Sequence, residues 1–386
     1  MDDILFYTCT IAEGKIWFVS IYGDFMNMDI KTKKMSFVLP KNMGGAFMKA
    51  VTDKMLVNGD AIYWLEYDAQ HLVRYSVAGN TCKFYEMPVI DCKGEECFAG
   101  IAMYNQKIYM FPRYTPYLVI FDTVNEKFIV QDDLYQTLNT ELFQRETEFL
   151  FRSYQLGDAL FFLRRKNKNA YRNTIIKYSL DSRNYETFVL SEEIENPVNI
   201  CRGEDYLYIL CADTSLYRID ECHNKTERIY ASENVGESFL GISLMKQSLY
   251  LLPSRSENIK IIDLDTLNVK NFDNYPIDFK YMAKCGSKYY GYNEDEKYIY
   301  YGNRSANYIL KMDKELDLIE WIKPQLPTKE EAIAYYLKTR NEIVVDESRF
   351  GLQMIFGSIK RKQGREDNKI CVWAGMNIWK KISEGV

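Results

Sequence analysis

The chain has 386 residues, 47% hydrophobic and 27% charged, with a formal net charge of −5. These values are those of a globular protein with room for several domains or one large repeat fold. The acidic balance excludes broad nucleic-acid binding, which needs many Lys and Arg facing phosphates.

The opening stretch, MDDILFYTCTIAEGKIWF, starts with two acids and runs straight into strand-like sequence. It has neither the basic start nor the apolar core of a secretory signal, and no apolar run approaches the length of a membrane span. Nine cysteines are scattered mostly singly through apolar strands, so the expected setting is a reducing cytoplasm, with the sequons at Asn224 and Asn303 as chance matches. No membrane contact is expected.

An aromatic-rich phrase then recurs in chain order: KIWFVS (15–20), AIYWLE (61–66), KIYMFP (107–112), ALFFLR (159–164), YLYILC (206–211), SLYLLP (248–253) and KYYGYN (288–293). The starts lie 46, 46, 52, 47, 42 and 40 residues apart. Each phrase follows another apolar strand: ILFYTCT, FMKAVTD, FAGIAMY, FLFRSYQ, VNICRG, FLGISLM and FKYMAKC. After most comes a strand, an Asp or Ser, a polar turn and a returning strand, as in NIKIIDLDTLNVKNF (258–272) and LVIFDTVNEKFIV (118–130).

Four short strands per unit, repeated seven times, predict an all-β, seven-bladed β-propeller of four-stranded blades over residues 1–325. The second strands are nearly continuous apolar runs, which implies burial on both faces, as in a blade sandwiched between neighbours. The 31 tyrosines suit half-buried strands, with the ring packed and the hydroxyl reaching a polar partner. All four strands of the first unit precede the second, and the seventh ends at LDLIEWI (316–322). No N-terminal strand is left to complete the last blade, so closure rests on packing between blades with help from the tail.

Residues 326–386 read as a short C-terminal helical appendage packed on the propeller. Thr328 and Glu331 form a capping-box pattern, and Phe350, Leu352, Ile355, Phe356 and Ile359 recur at near-helical spacing. A further helical segment is expected at 132–146, with another short helix at 374–383.

The phrase NIKIIDLDTLNVKNF and its counterparts over 1–322 resemble bacterial propeller repeat proteins of the Kelch-like and YVTN-like kinds. The double glycine of Kelch repeats and the Trp-Asp pair of WD repeats are absent. The resemblance therefore implies a fold and the use of propeller faces for binding, without an activity.

Catalytic motifs are missing: there is no phosphate loop, Gly-x-Ser-x-Gly or His-Glu-x-x-His. With only His71 and His223, a multi-imidazole metal site is excluded, and both histidines read as ordinary turn or surface residues. Cys92 and Cys97 lack two further zinc ligands and read as inert thiols, the alternative being a loop pair that joins under oxidation. Neither a metal nor a cofactor is expected.

The loops joining second to third strands share one face of a propeller with the links between blades. Four of them carry Arg: Arg113 beside Tyr114, then Arg164, Arg165 and Arg172, then Arg255, then Arg304. The equivalent loops of units one, two and five carry Asp24, Asp68 and Asp213 instead. Arg with Tyr favours recognition of carboxylates or phosphates over large contact areas. The leading reading is a non-enzymatic interaction scaffold holding an acidic protein partner, or a small anionic ligand, on this rim. The alternative is a small-molecule or glycan-binding propeller, with lyase or hydrolase chemistry in the central funnel. Tyr7, Arg152, Tyr154, Arg202 and Tyr281 are its candidate polar residues.

Overall fold

The computed structural model describes residues 6–20, 24–41, 51–66, 70–88, 97–112, 115, 117–131, 149–167, 170–190, 194, 197–220, 225–232, 237–254, 256–281, 289–294, 297–302, 306–328, 330–332 and 334–335. Seven antiparallel four-stranded sheets follow one another along the chain, each built from consecutive strands. Blade 1 contains β1 (Phe6–Ala12), β2 (Lys15–Ser20), β3 (Phe25–Asp29) and β4 (Met35–Phe37), and blade 2 contains β5 (Val51–Asn58), β6 (Ala61–Glu66), β7 (His71–Ser76) and β8 (Thr81–Glu86). Blade 3 holds β9 (Phe98–Tyr104), β10 (Lys107–Pro112), β11 (Leu118–Asp122) and β12 (Lys127–Gln131). Blade 4 holds β13 (Phe149–Leu156), β14 (Ala159–Asn167), β15 (Ala170–Ser179) and β16 (Tyr185–Val189). Blade 5 runs through β17 (Pro197–Arg202), β18 (Tyr206–Cys211), β19 (Leu216–Asp220) and β20 (Lys225–Tyr230). Blade 6 runs through β21 (Phe239–Met245), β22 (Ser248–Pro253), β23 (Lys260–Asp263) and β24 (Val269–Asn271). Blade 7 closes the set with β25 (Tyr290–Glu294), β26 (Tyr298–Gly302), β27 (Ile309–Asp313) and β28 (Leu318–Ile322).

The apolar second strands lie between blades as their sequence requires. In β6 all six residues are buried, with Ile62 and Trp64 packed toward blade 1 and Ala61, Tyr63 and Leu65 toward blade 3. Seven such apolar clusters each join two neighbouring blades, and the one built from Phe6, Phe18 and Met26 with Tyr300 and Ile309 joins blade 7 back to blade 1. Burial of this two-sided kind carries most of the folding free energy.

One boundary differs from the sequence reading. KYYGYN holds the innermost strand of blade 7, and the second strand is β26, starting at Tyr298. The described part of FKYMAKC, residues 279–281, falls in the link from blade 6, where Phe279 and Tyr281 join Tyr275 and Trp321 in an aromatic cluster on blade 7. Aromatic density alone does not distinguish a link packed over a blade from a strand within it.

Amide side chains lace the innermost strands together. Gln155 on β13 donates to Met103 O on β9 at 3.0 Å, Asn199 on β17 to Leu240 O on β21 at 2.6 Å, and Asn293 on β25 to Met55 O on β5 at 3.1 Å.

Among the described residues the ring is closed from outside, without exchange of a strand. Just after β28, Gln325 pairs in parallel with Lys34 beside β4: Met35 N donates to Gln325 O and Gln325 N to Lys33 O, each at 2.8 Å. Pro324 and Pro327 flank this bridge and hold Lys323 and Leu326 in extended conformation. Leu326 packs on the blade 7–blade 1 cluster, Lys34 pairs with Glu331 at 2.9 Å, and Tyr335 stacks on Phe37 at 4.3 Å between ring centroids. The helical turn that presents Glu331 and Tyr335 starts with the expected capping box. Thr328 N donates to Glu331 Oε2 at 2.8 Å and Glu331 N to Thr328 Oγ1 at 3.2 Å. The segments read as helical at 132–146, 347–364 and 374–383 lie outside the described residues.

Candidate functional site

An up-and-down blade puts its first-to-second and third-to-fourth turns on one face of the ring. Its second-to-third loops and the links between blades lie on the other. The turn face is tight and regular. Asp29, Ser76, Asp122, Ser179, Asp263 and Asp313 each accept the N–H of the residue three positions on. The residue four positions on then takes a left-handed conformation: Lys33, Asn80, Glu126, Arg183, Leu267 and Asp317 have φ between 50° and 62°. The Asp or Ser of the recurring phrase therefore holds a turn that would otherwise disfavour a side chain at its last position. The N–H and hydroxyl of Thr32 hold the Asp29 carboxyl below its ordinary range, Asn125 does the same for Asp122, and Thr266 for Asp263.

Tyrosines reach from one blade into the next at this face. Tyr85 donates to Glu126 at 2.6 Å, with Lys83 paired to the same carboxylate, and Tyr250 donates to Asp317 at 2.9 Å. Burial first, and then the bond to the carboxylate, pushes both phenols up.

The loop face carries the longer connections. Of residues 164–173, read as a polar loop, 164–167 and 170–173 are instead the ends of an extended hairpin, because β14 reaches Asn167 and β15 begins at Ala170. Arg164 pairs with Leu150, and Arg165 with both Phe149 and Tyr171. Arg172 lies on β15 in the irregular register between the Arg165–Tyr171 and Leu163–Ile175 pairs. At nine and ten residues these strands exceed the six of β2, β6 and β10, so blade 4 projects farther on this side. Arg113, Tyr114, Arg255 and Arg304 lie outside the described residues, as does Asp68.

Of the acidic loop residues, Asp24 does not decorate the rim. It is buried, with Ser20 Oγ donating to it at 3.2 Å. Asp213 is exposed and accepts both the N–H and the hydroxyl of Ser215 at 2.9 Å. Loops are tied to incoming links by further polar bonds. Ser256 Oγ donates to Ser238 O at 3.1 Å and Asn307 Nδ2 to Asp278 O at 2.8 Å. Asp278 also takes the Tyr308 hydroxyl at 2.6 Å and pairs with Lys323, and these bonds, Lys323 first, hold its carboxyl low. Beside it Ile277 is fully exposed.

His71 opens β7 and is partly exposed. Its Nδ1 lies 2.8 Å from Glu66 Oε2, and the Glu66 side chain is 3% exposed against 35% for His71. The imidazole also meets Phe84 edge-on at 5.8 Å. Trp64, two residues before Glu66, is buried against Phe25 of blade 1, and its Nε1 has no hydrogen-bond partner among the described residues. Glu66 sat in the apolar phrase AIYWLE, and only the hairpin geometry brings it to His71.

The other candidates fare variously. Arg202 is exposed at the end of β17, and Tyr281 belongs to the link, donating to Glu257 O at 3.1 Å. Tyr7, Arg152 and Tyr154 are placed on innermost strands by their backbone. Cys97 stands in a disulfide, in contrast to the inert thiol expected, and Cys92 lies outside the described residues. The Cys9 thiol is buried, which pushes its pKa up to about 12. Among the described residues no group of three or more His, Cys, Asp or Glu could hold a metal.

Comparison with known proteins bears on the fold alone. No family model matches the chain, and no curated protein does. Among solved structures, a catalytically inactive virginiamycin B lyase variant from Staphylococcus aureus with quinupristin is similar, with TM-score 0.56, 17% identity, and 80% of this chain and 95% of that one covered. The extracellular domain of a putative one component system from B. thetaiotaomicron matches with TM-score 0.54, 10% identity, and coverage of 82% and 46%. PorZ, a surface component of the type-IX secretion system of Porphyromonas gingivalis, matches with TM-score 0.53, 10% identity, and coverage of 85% and 39%. This chain thus spans less than half the length of the last two.

Proposed function

We propose that the chain is a non-enzymatic interaction scaffold that holds an acidic protein partner on its loop face. The observation that carries this reading is the long β14–β15 hairpin of blade 4, whose backbone carries positions 164, 165 and 172 near one end. A two-stranded backbone has less entropy to lose on binding than a loop does, which favours Arg placed there as a partner for carboxylates. Arg113 with Tyr114 on blade 3, Arg255 on blade 6 and Arg304 on blade 7 extend the basic rim in sequence, and exposed Ile277 adds an apolar contact next to blade 7.

The funnel reading has less support. Gln155, Asn199 and Asn293 on innermost strands are engaged in bonds to other innermost strands, so these amides are committed to holding the ring.

The test compares the wild-type chain with a variant carrying Glu in place of Arg113, Arg164, Arg165, Arg255 and Arg304. Each is titrated with a labelled poly-glutamate peptide and used for capture from host lysate. Salt-sensitive peptide binding and a stoichiometric protein, both lost in the variant, are expected. Equal behaviour of the two chains would sink the reading.

A further inference from the structure

The Glu66–His71 pair lies on blade 2, away from the Arg-bearing hairpin of blade 4, and nothing in the scaffold reading uses it. Strand alternation defines its setting. Ile62 and Trp64 on β6, and Val73 and Tyr75 on β7, belong to the cluster between blades 1 and 2, so Glu66 and His71 share that side of the sheet. Both stand at the loop-face ends of their strands, where β6 turns into β7. Phe84, 38% exposed, flanks the imidazole, and exposed Glu86 is its register partner on β8.

A buried carboxylate against one ring nitrogen fixes what the other nitrogen can do. A carboxylate only accepts, so Nδ1 carries the proton and donates it to Glu66. In the neutral ring Nε2 is then left with a lone pair. Among the described residues no second hydrogen-bond partner engages the imidazole, and about a third of the side chain is open to solvent.

We propose that His71 is a ligand-contacting group of the loop face. Its Nε2 accepts a hydrogen bond from an ammonium or hydroxyl donor, and Glu66 is the positioning residue that holds the tautomer. The surroundings select the ligand class. Glu66 and Glu86 make this corner anionic and favour a donor, and they disfavour the carboxylates that the Arg hairpin attracts. The Phe84 ring offers apolar surface beside the acceptor. Two corners of one face would thereby take opposite chemistries.

The test uses the full chain with 15N-labelled histidine, read by long-range 1H–15N NMR. Only two histidines contribute, and a His71→Gln variant assigns them. Where the ring is neutral, His71 is expected as the Nδ1–H tautomer. Titration with ethylammonium should move the Nε2 signal to saturation, and the same concentrations of acetate should leave it in place. A reversed tautomer, an Nε2 signal indifferent to ethylammonium, or equal responses to both ions each overturns the proposal. Glu66→Gln should mix the tautomers and weaken the ethylammonium response roughly tenfold, as expected for a lost charge-assisted bond. Glu66→Asp should restore part of both. An unchanged tautomer in a folded Glu66→Gln chain removes Glu66 from its role. The Arg variants of blade 4 leave these signals alone, so this idea and the scaffold reading fail separately.

Discussion

The two faces of the ring solve the same problem, reversing a strand, in opposite ways. On the turn face the reversal is short and internally satisfied. A carboxylate or hydroxyl caps the turn, a left-handed residue follows, and tyrosines such as Tyr85 and Tyr250 bond into the next blade's turn. On the loop face the reversals vary in length and are tied individually, by Ser256 to Ser238 in blade 6 and by Asn307 to Asp278 in blade 7. Regularity there is given up, and with it come a projecting hairpin, an exposed Ile277 and a half-open imidazole. One face is specified for stability, and the other is less constrained.

This contrast can be broken most forcefully at the clasp between blade 7 and blade 1. Gln325→Pro removes the N–H bonded to Lys33, and Tyr335→Ala removes the stack on Phe37. Together they should cost about 2–3 kcal/mol, lowering the denaturant midpoint and raising hydrogen exchange in β4 and β28 before other strands. Uniform exchange across the blades would show that the clasp does not hold the seam.

A smaller loss is expected on the turn face. Gly14 has φ of 70° in the β1–β2 turn with open space around its α-carbon. Gly14→Val should therefore destabilise through backbone strain alone, by about 1–2 kcal/mol in urea unfolding, and Gly14→Asn by less. Removing a turn cap, as in Asp263→Ala, should lower Tm by about 2 °C or less.

The same caps set a pH dependence. Asp29, Asp122 and Asp263 have folded carboxyls below the ordinary aspartate value, so the unfolded chain binds protons first as the solution is acidified. Their contribution is fully present above the unfolded aspartate pKa near 4, and it is lost as pH falls through the lower folded values. An Asp29→Asn, Asp122→Asn, Asp263→Asn chain should show a flatter acid limb in stability against pH, with the neutral-pH difference persisting.

The smallest effect on stability belongs to the loop face, and it sharpens the comparison. Arg164→Glu, Arg165→Glu and Arg172→Glu should each shift stability by no more than about 0.5 kcal/mol while abolishing capture of an acidic probe. A large loss of stability with intact binding would invert the division of labour between the faces.

The sequence by itself determined the blades. Six of the seven aromatic phrases coincide with second strands, and the recurring Asp29, Asp122, Ser179 and Asp263 each cap a turn, because these depend on local periodicity and on bonds three or four residues apart. The capping box at Thr328 and Glu331 was legible for the same reason. Tertiary structure alone decided what depends on residues distant in the chain or on competition between equally apolar segments. It moved blade 7 inward by one strand, stretched the loop of Arg164, Arg165 and Arg172 into a hairpin, and buried Asp24. It brought residue 325 to residue 34, and it set a carboxylate hidden in an apolar phrase against His71. A strand's period says which side chains share a face. Which neighbour that face meets is fixed only when the ring closes.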